Sequence, residues 1–191
     1  MSLAKLKKKY SGRVIGVDAS TNSFAFCVID QDKIIKYGEI FFEGSDIYER
    51  ILDAKNKMGA LKKEKFFDDI DFMAIEAAVS VKSVHTGIKM AYVFGAIMGE
   101  ILSKNIKVVE IHPLTWQSFI GNNNFTKEQK QEVKKQFPGK SENWYKAKIR
   151  EIRKGKTNEF ARSKGVRTSS DNVSDALGIG WYFSHSLMEN K

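Results

Sequence analysis

Residues 13–30 read RVIGVDASTNSFAFCVID, and no other stretch restricts the possible folds of this chain as strongly. Val14, Ile15 and Val17 form a short apolar run that ends at Asp18. A polar turn from Ala19 to Ser23 follows, and the chain is apolar again from Phe24 to Ile29. This pattern predicts two buried strands, 13–18 and 23–30, folded as a hairpin. An acid at the end of a buried strand is costly unless something cationic meets it. The rest of the chain therefore has to bring a partner to Asp18.

Gln31 and Asp32 make a turn into a third strand, 33–42, which completes an antiparallel meander. Ser45 or Asp46 caps a helix whose apolar positions, Ile47, Ile51, Leu52, Ala54, Met58 and Leu61, recur at helical spacing. A fourth apolar run, 70–75, ends on Glu76. After a meander and a long helix, this strand is expected to run parallel to the first. Asp18 and Glu76 then share the carboxyl edge of the sheet, where open α/β sheets place their ligands. Residues 83–103 read as a helix that carries Gly87, Gly95 and Gly99, each disfavoured by about 1 kcal/mol relative to alanine. Close packing against the sheet or a second subunit would account for them, and so would a loosely packed helix. A fifth strand, 107–111, stops at His112–Pro113, and a short helix, 114–120, follows.

From Thr126 the texture changes to charged helical stretches, 126–137, 141–155 and 157–164, broken at Pro138–Gly139 and at Gly155. Thr126 and Gln129 have capping-box spacing. Ser169-Ser170-Asp171 opens a last helix running to about Met188, with Asp171 and Asp175 on one face, one turn apart. The expected fold is α/β. It has a mixed five-stranded sheet, three antiparallel strands then two parallel, flanked by helices, with a basic helical insertion (about 122–168) before the C-terminal helix. One domain over residues 1–191 is expected.

Charge sharpens the reading of that insertion. The chain carries a net charge of +9, and residues 127–167 hold 14 Lys or Arg against five Glu. The remainder is neutral, so the whole excess lies in one segment, which points to a polyanion partner. The candidate nucleic-acid contacts are Lys127, Lys130, Lys134, Lys140, Trp144, Lys146, Lys148, Arg150, Arg153, Lys154, Arg162 and Arg167. Phe137, Trp144, Tyr145 and Phe160 interleave with these cations. The rings could stack on bases or could anchor the insertion to the core. Lys5 to Lys9 form a short basic arm. The single cysteine, Cys27, leaves no disulfide framework and fits a reducing cytosol. No signal peptide or membrane span is expected, and the location implied is cytoplasmic.

Asp18, Glu76, Asp171 and Asp175 are the candidate catalytic and metal-binding acids. A carboxylate set without His or Cys suits a hard divalent ion, Mg²⁺ or Mn²⁺. Two such ions about 3.5–4 Å apart can activate water and stabilise the leaving oxygen of a phosphodiester. The histidines, His85, His112 and His185, are scattered, and no phosphate-binding loop, nucleophile elbow or zinc spacing is present.

At these residues the chain resembles the RuvC family of Holliday-junction resolvases, within the ribonuclease-H-like superfamily. The resemblance rests on Gly16-Val17-Asp18, Ala74-Ile75-Glu76 and Asp175-Ala176-Leu177-Gly178-Ile179, in that order along nearly the whole chain. Thr21-Asn22-Ser23 is also similar to the RuvC-like nuclease domain of RNA-guided effectors. The insertion FPGKSENWYKAKIREIRK looks most like resolvases of phages and mobile elements of Gram-positive bacteria. The resemblance implies a metal-dependent endonuclease, acting as a homodimer on four-way or other branched DNA in a bacterial cell. Asp18, Glu76 and Asp175 map onto family metal-binding acids. The fourth family acid falls at Asn172 here, with Asp171 the nearest carboxylate. Ser20 stands where the family often has glycine, and Val79 where bacterial members carry an aromatic. Other readings are a ribonuclease acting on RNA–DNA hybrids, a DNA-binding module without catalysis, and an actin-like ATPase or sugar kinase. The last of these needs a duplicated domain, for which 191 residues leave little room.

Overall fold

The computed structural model describes residues 12–77, 83–102 and 105–186. Its strands are β1 (Val14–Ala19), β2 (Ser23–Asp30), β3 (Lys33–Phe41), β4 (Phe72–Glu76) and β5 (Lys107–Ile111). Its helices are α1 (Ile47–Lys63), α2 (Val84–Ile101), α3 (Pro113–Phe119), α4 (Lys127–Gln136), α5 (Glu142–Ser163) and α6 (Asp171–Ser186). The strands form one sheet in the order β3-β2-β1-β4-β5. The β1–β2 and β2–β3 pairs are antiparallel, and β1–β4 and β4–β5 are parallel. The predicted mixed sheet, its flanking helices and the helical insertion before α6 are all present. Lys5–Lys9, Val79 and the expected helix end at Met188 lie outside the described residues.

Alternation along the strands sorts the core into two layers. Ile15, Val17, Phe24, Val28, Met73 and Ile75 point to one face, where Ala54 and Met58 of α1 and Val93 and Ile97 of α2 cover them. Val14, Ala25, Cys27, Ile29, Phe72 and Ala74 point to the other face, under Val173, Ala176, Leu177 and Phe183 of α6. Strands β1, β2 and β4 are covered on both sides, which explains their nearly unbroken apolar runs.

Short polar signals set the element boundaries. Asp46 caps α1, accepting from Tyr48 N at 2.8 Å and Glu49 N at 2.9 Å. The Thr126–Gln129 capping box forms as its spacing predicts. Ser20 closes the β1–β2 turn through its hydroxyl, accepting from Ser23 N at 3.0 Å and Asn22 N at 3.1 Å. Ser20 is not among the residues with a left-handed backbone, so the turn has no need of glycine at this position.

Gly155 corrects an expectation, because α5 runs unbroken through it. Contacts on both sides outweigh its low helix propensity. Arg153 Nη2 donates to Gln117 Oε1 at 2.5 Å and Asn122 Nδ2 to Thr157 Oγ1 at 2.9 Å, while Asn158 Nδ2 reaches Asp171 Oδ1 at 2.9 Å.

Helix α6 lies directly against β1. A Cβ on Gly16 would stand 2.2 Å from the Ala176 carbonyl oxygen and 2.6 Å from Gly180 N. A Cβ on Gly180 would meet the Gly16 backbone at 3.1 Å. A Cβ on Gly155, by contrast, would meet nothing within 4 Å. Gly16→Ala is therefore expected to lower the unfolding free energy by about 3 kcal/mol or more, since backbone on both sides must shift. Gly155→Ala is expected to raise it by up to about 1 kcal/mol. Urea unfolding of both variants checks the pair, and a Gly16→Ala protein as stable as wild type would refute the close contact.

Candidate active site

The α6 face of the sheet gathers the acids. Val14, Gly16 and Asp18 alternate onto that face, as do Phe72, Ala74 and Glu76 on β4. Asp18 and Glu76 each lie one residue beyond the Val17–Ile75 pair of the parallel strands. Both therefore stand at the carboxyl edge, on the side covered by α6. Asp175, one turn into α6, comes down beside them because the Gly16–Gly180 contact lets the helix approach. Burial pushes the pKa of Asp18 up to about 7, and the charges of Glu76 and Glu39 add to that shift. Burial likewise pushes Asp175 up to about 8, reinforced by Asp18, Glu76 and Asp171. These acids therefore feel one another's charge.

Glu76 has its own support. Trp116 Nε1 donates to Glu76 Oε2 at 2.9 Å. Surrounding protein raises the pKa of Glu76, opposed by that hydrogen bond and by nearby His112. Trp116 is buried, and its ring fills the space above Gly178, where a Cβ would sit 2.7 Å from the ring. Nothing in the spacing of Trp116 marks it as a site residue.

Asp171 is placed differently from the other three. Lys154 Nζ on α5 donates to Asp171 Oδ2, and Asn158 binds the other oxygen. These two bonds hold the pKa of Asp171 below the usual carboxylate value. The Lys154 charge also lowers Asp18 and Asp175, so this lysine faces the acid group from the insertion side.

A fifth acid joins them, one the sequence pattern left hidden. Glu39 on β3 pairs with Ala25, which pairs with Asp18, so all three side chains lie in one row on the α6 face. Glu39 accepts from Asn172 Nδ2 at 2.7 Å and from Ser170 Oγ, and Ser23 adds a third hydrogen bond. Burial raises its pKa, but the three donors outweigh this and keep it below the usual glutamate value.

The candidate nucleic-acid residues separate into groups. Lys127, Lys130, Lys146, Arg162 and Arg167 are exposed. Arg150 is also exposed and lies close enough to lower the pKa of Asp171. Lys134 pairs with Glu142, and Lys148 with Glu151 at 2.8 Å. Lys140 lies over the Trp144 ring. Arg153 is turned inward to Gln117 and Asn122, tying α5 to the loop after α3. Trp144 packs between Phe137 and Tyr145, with ring centroids 5.3 and 5.5 Å away, so it helps hold the α4–α5 hairpin together.

The donor set is all oxygen and largely anionic, which fits a hard divalent ion in kind. Among the described residues no group of three His, Cys, Asp or Glu side chains is arranged to hold a metal ion. The acids are gathered on one face without being closed into a cage.

No protein-family model matches the chain, and no curated protein matches it by sequence. Solved structures do match. Thermus thermophilus RuvC in complex with a Holliday-junction substrate superposes with a TM-score of 0.59 at 11% identity, covering 92% of this chain and 93% of that one. A second T. thermophilus RuvC structure gives 0.59 at 12% identity, with coverage of 92% and 93%. The yeast mitochondrial Holliday-junction resolvase Ydc2 gives 0.52 at 12% identity, covering 93% of this chain and 80% of that one. The fold is therefore RuvC-like, of the ribonuclease-H-like kind. These neighbours are bacterial and mitochondrial proteins, and they lend no support to a specifically phage-type assignment.

The raised pKa values of Asp18 and Asp175 fix the sign of a pH effect. Their folded-state values lie above the ordinary 3.8, so the stability they contribute is full below that value and is lost as pH rises through about 7 to 8. In EDTA, the melting temperature should fall between pH 5 and pH 8.5. Asp175→Asn should flatten that fall. A wild-type melting temperature that stays level or rises across this range would contradict the assignment.

Proposed function

We propose that this protein is a metal-dependent, structure-selective endonuclease that cleaves four-way or other branched DNA. One observation carries the reading: Asp18, Glu76 and Asp175 converge on one sheet face, beside a helical insertion that holds the chain's whole excess of positive charge. The solved RuvC structure bound to a Holliday junction, which shares this fold, supports a branched substrate.

Asp18, Glu76 and Asp175 would hold Mg²⁺ or Mn²⁺, two ions per site, and such ions when bound supply an activated water and neutralise charge building on the phosphodiester. The protein's own residues prepare that chemistry. Asp18 and Asp175, on which burial favours the protonated form, would hold the ion as carboxylates and so would have to release those protons. Trp116 fixes the rotamer of Glu76, so one carboxylate oxygen stays engaged while the other is available. Lys154 bonds Asp171, and its charge also reaches Asp18 and Asp175. A DNA phosphate that draws its ammonium group away would release Asp171 as a fourth acid. Lys127, Lys130, Lys146, Arg150, Arg162 and Arg167 would hold the DNA arms through phosphates, with affinity that falls steeply with salt.

A homodimer belongs to the same reading, with α2 as its contact. Val84, Ile88 and Tyr92 on this helix are exposed, with Leu102 just beyond its end. A Cβ on Gly95 or Gly99 would meet nothing within 4 Å, so a second helix could approach closely there.

Wild-type protein with Mg²⁺ should nick a synthetic four-way junction in preference to linear duplex or RNA–DNA hybrid. Asp18→Asn should abolish nicking while leaving junction affinity near wild type. Undiminished cleavage by that variant, or equal cleavage of all three substrates, would overturn the proposal. In sedimentation, wild type should run at about twice its 21.7 kDa chain mass. The double substitution Ile88→Asp/Tyr92→Asp should run as a monomer, and a monomeric wild type would remove α2 as a dimer contact.

A further inference from the structure

Glu39 has no part in the reading above, yet it is tied to the site more thoroughly than any other acid. It lies on β3, two strands from Asp18, and the Asp18–Ala25–Glu39 register points its carboxylate toward α6. Both of its oxygens are engaged by the amino end of that helix. Oε1 accepts from Asn172 Nδ2 at 2.7 Å, and Oε2 accepts from Ser170 Oγ. Ser170 also caps the helix, its hydroxyl accepting from Val173 N at 3.2 Å. Asn172 Nδ2 reaches Ser23 Oγ at 3.5 Å, and Ser23 Oγ meets Ser20 Oγ at 3.2 Å. A continuous set of polar contacts thus runs from the turn after Asp18, through Glu39, to the residues just before Asp175.

The separation along the chain matters as much as the distances. Glu39 is 131 residues from Ser170 and 133 from Asn172, so these bonds form only when α6 docks in one register on the sheet. Asp175 lies about one turn beyond Asn172. A carboxylate that fixes Asn172 against β3 therefore fixes where Asp175 stands over β1. The Gly16–Gly180 contact sets the height of the helix, but a bare glycine contact restrains sliding and rotation weakly. The Glu39 bonds supply that directional restraint.

We infer that Glu39 is a positioning residue of the site, acting through Ser170 and Asn172 to hold the amino end of α6 so that Asp175 and Asp18 can receive an ion together. The inference rests on the reading of Asp18 and Asp175 as ion-holding acids. It assigns Glu39 no contact with substrate.

The test exchanges the acid and the amide. Glu39→Gln keeps the side-chain length but cannot accept from Asn172 and Ser170 with two anionic oxygens. Glu39→Gln/Asn172→Asp restores one acid and one amide at unchanged lengths, so the amide introduced on β3 can donate to the carboxylate introduced on α6. Wild type and both variants are titrated with Mg²⁺, following nicking of a four-way junction and, separately, the Mg²⁺-dependent rise in melting temperature. Glu39→Gln should raise both Mg²⁺ midpoints about tenfold or more while leaving DNA affinity unchanged. The exchanged pair should recover most of that loss, whereas Asn172→Asp alone should leave both midpoints no lower than wild type, so that recovery does not come from a new ion ligand at position 172.

Wild-type midpoints in Glu39→Gln would overturn the inference, even if that variant melts at a lower temperature, because its role would then be structural only. Failure of the exchanged pair to recover would also overturn it, since the carboxylate at position 39 would itself be required. If wild type nicks no DNA but its melting temperature responds to Mg²⁺ and the variants behave as described, the nuclease reading fails and the positioning role stands. No Mg²⁺ response of either kind in wild type would remove both.

Discussion

The site depends on backbone meeting backbone where α6 crosses β1 at Gly16 and Gly180. A side chain at either position would lift the helix away from the strand. Asp175 is five residues before Gly180, and Asp18 is two residues past Gly16, so lifting the helix would separate the two acids. Gly178 makes a similar opening one layer out, where the Trp116 ring enters and its indole N–H reaches Glu76. Three small residues therefore decide where three acidic side chains stand. Their value is the space they leave, which offsets what glycine costs in the middle of a strand or a helix.

Closeness of the acids has an electrostatic consequence, and the structure divides its carboxylates accordingly. Glu39 and Asp171 each receive hydrogen bonds, from Ser170, Asn172 and Ser23 in one case and from Lys154 and Asn158 in the other, and both stay readily ionised. Among the described residues Asp18 and Asp175 receive no comparable support and are the more deeply buried, and their pKa values rise to about 7 and about 8. The protein thus spends its hydrogen-bond donors on the outer acids, which hold the frame. The inner acids are left holding their protons more tightly than ordinary carboxylates do, a demand for positive charge that a bound cation would also meet.

Much of this was legible in the sequence, because it follows from periodicity. The period-2 runs at β1, β2 and β4, the meander, the crossover to a parallel β4 and the alignment of Asp18 with Glu76 all need only strand alternation and chain length. Glu39 was not legible, for a geometric reason. Counting outward from the Asp30–Lys33 pair puts Ala25 opposite Gly38, with Glu39 pointing to the far face. A bulge between Val28 and Ile29 shifts the pairing by one, so Ala25 meets Glu39 instead. Gly155 misled in the opposite direction, since propensity suggests a break that the contacts of Arg153, Thr157 and Asn158 override. Lys154 and Arg153 look like any other cations of the basic segment, and only the docking of α5 gives them inward tasks.

That docking also changes what the positive charge means. Within the α4–α5 hairpin, Tyr145 Oη donates to the Phe137 carbonyl at 2.6 Å, and the Trp144 ring wedges between the two aromatic side chains. Lys134 and Lys148 lie over these rings while pairing with Glu142 and Glu151. These contacts stiffen the hairpin, so less conformational entropy would remain to be lost on binding a polyanion. They also occupy cations that a charge count treats as available. Arg153 and Lys154 are occupied in the same sense by Gln117, Asn122 and Asp171. In the proposed reading, contact with phosphate would therefore fall first to the outward residues, Lys127, Lys130, Lys146, Arg150, Arg162 and Arg167. The inward cations hold the insertion in place against the acid group, so one basic segment links an exposed cationic surface to the clustered carboxylates.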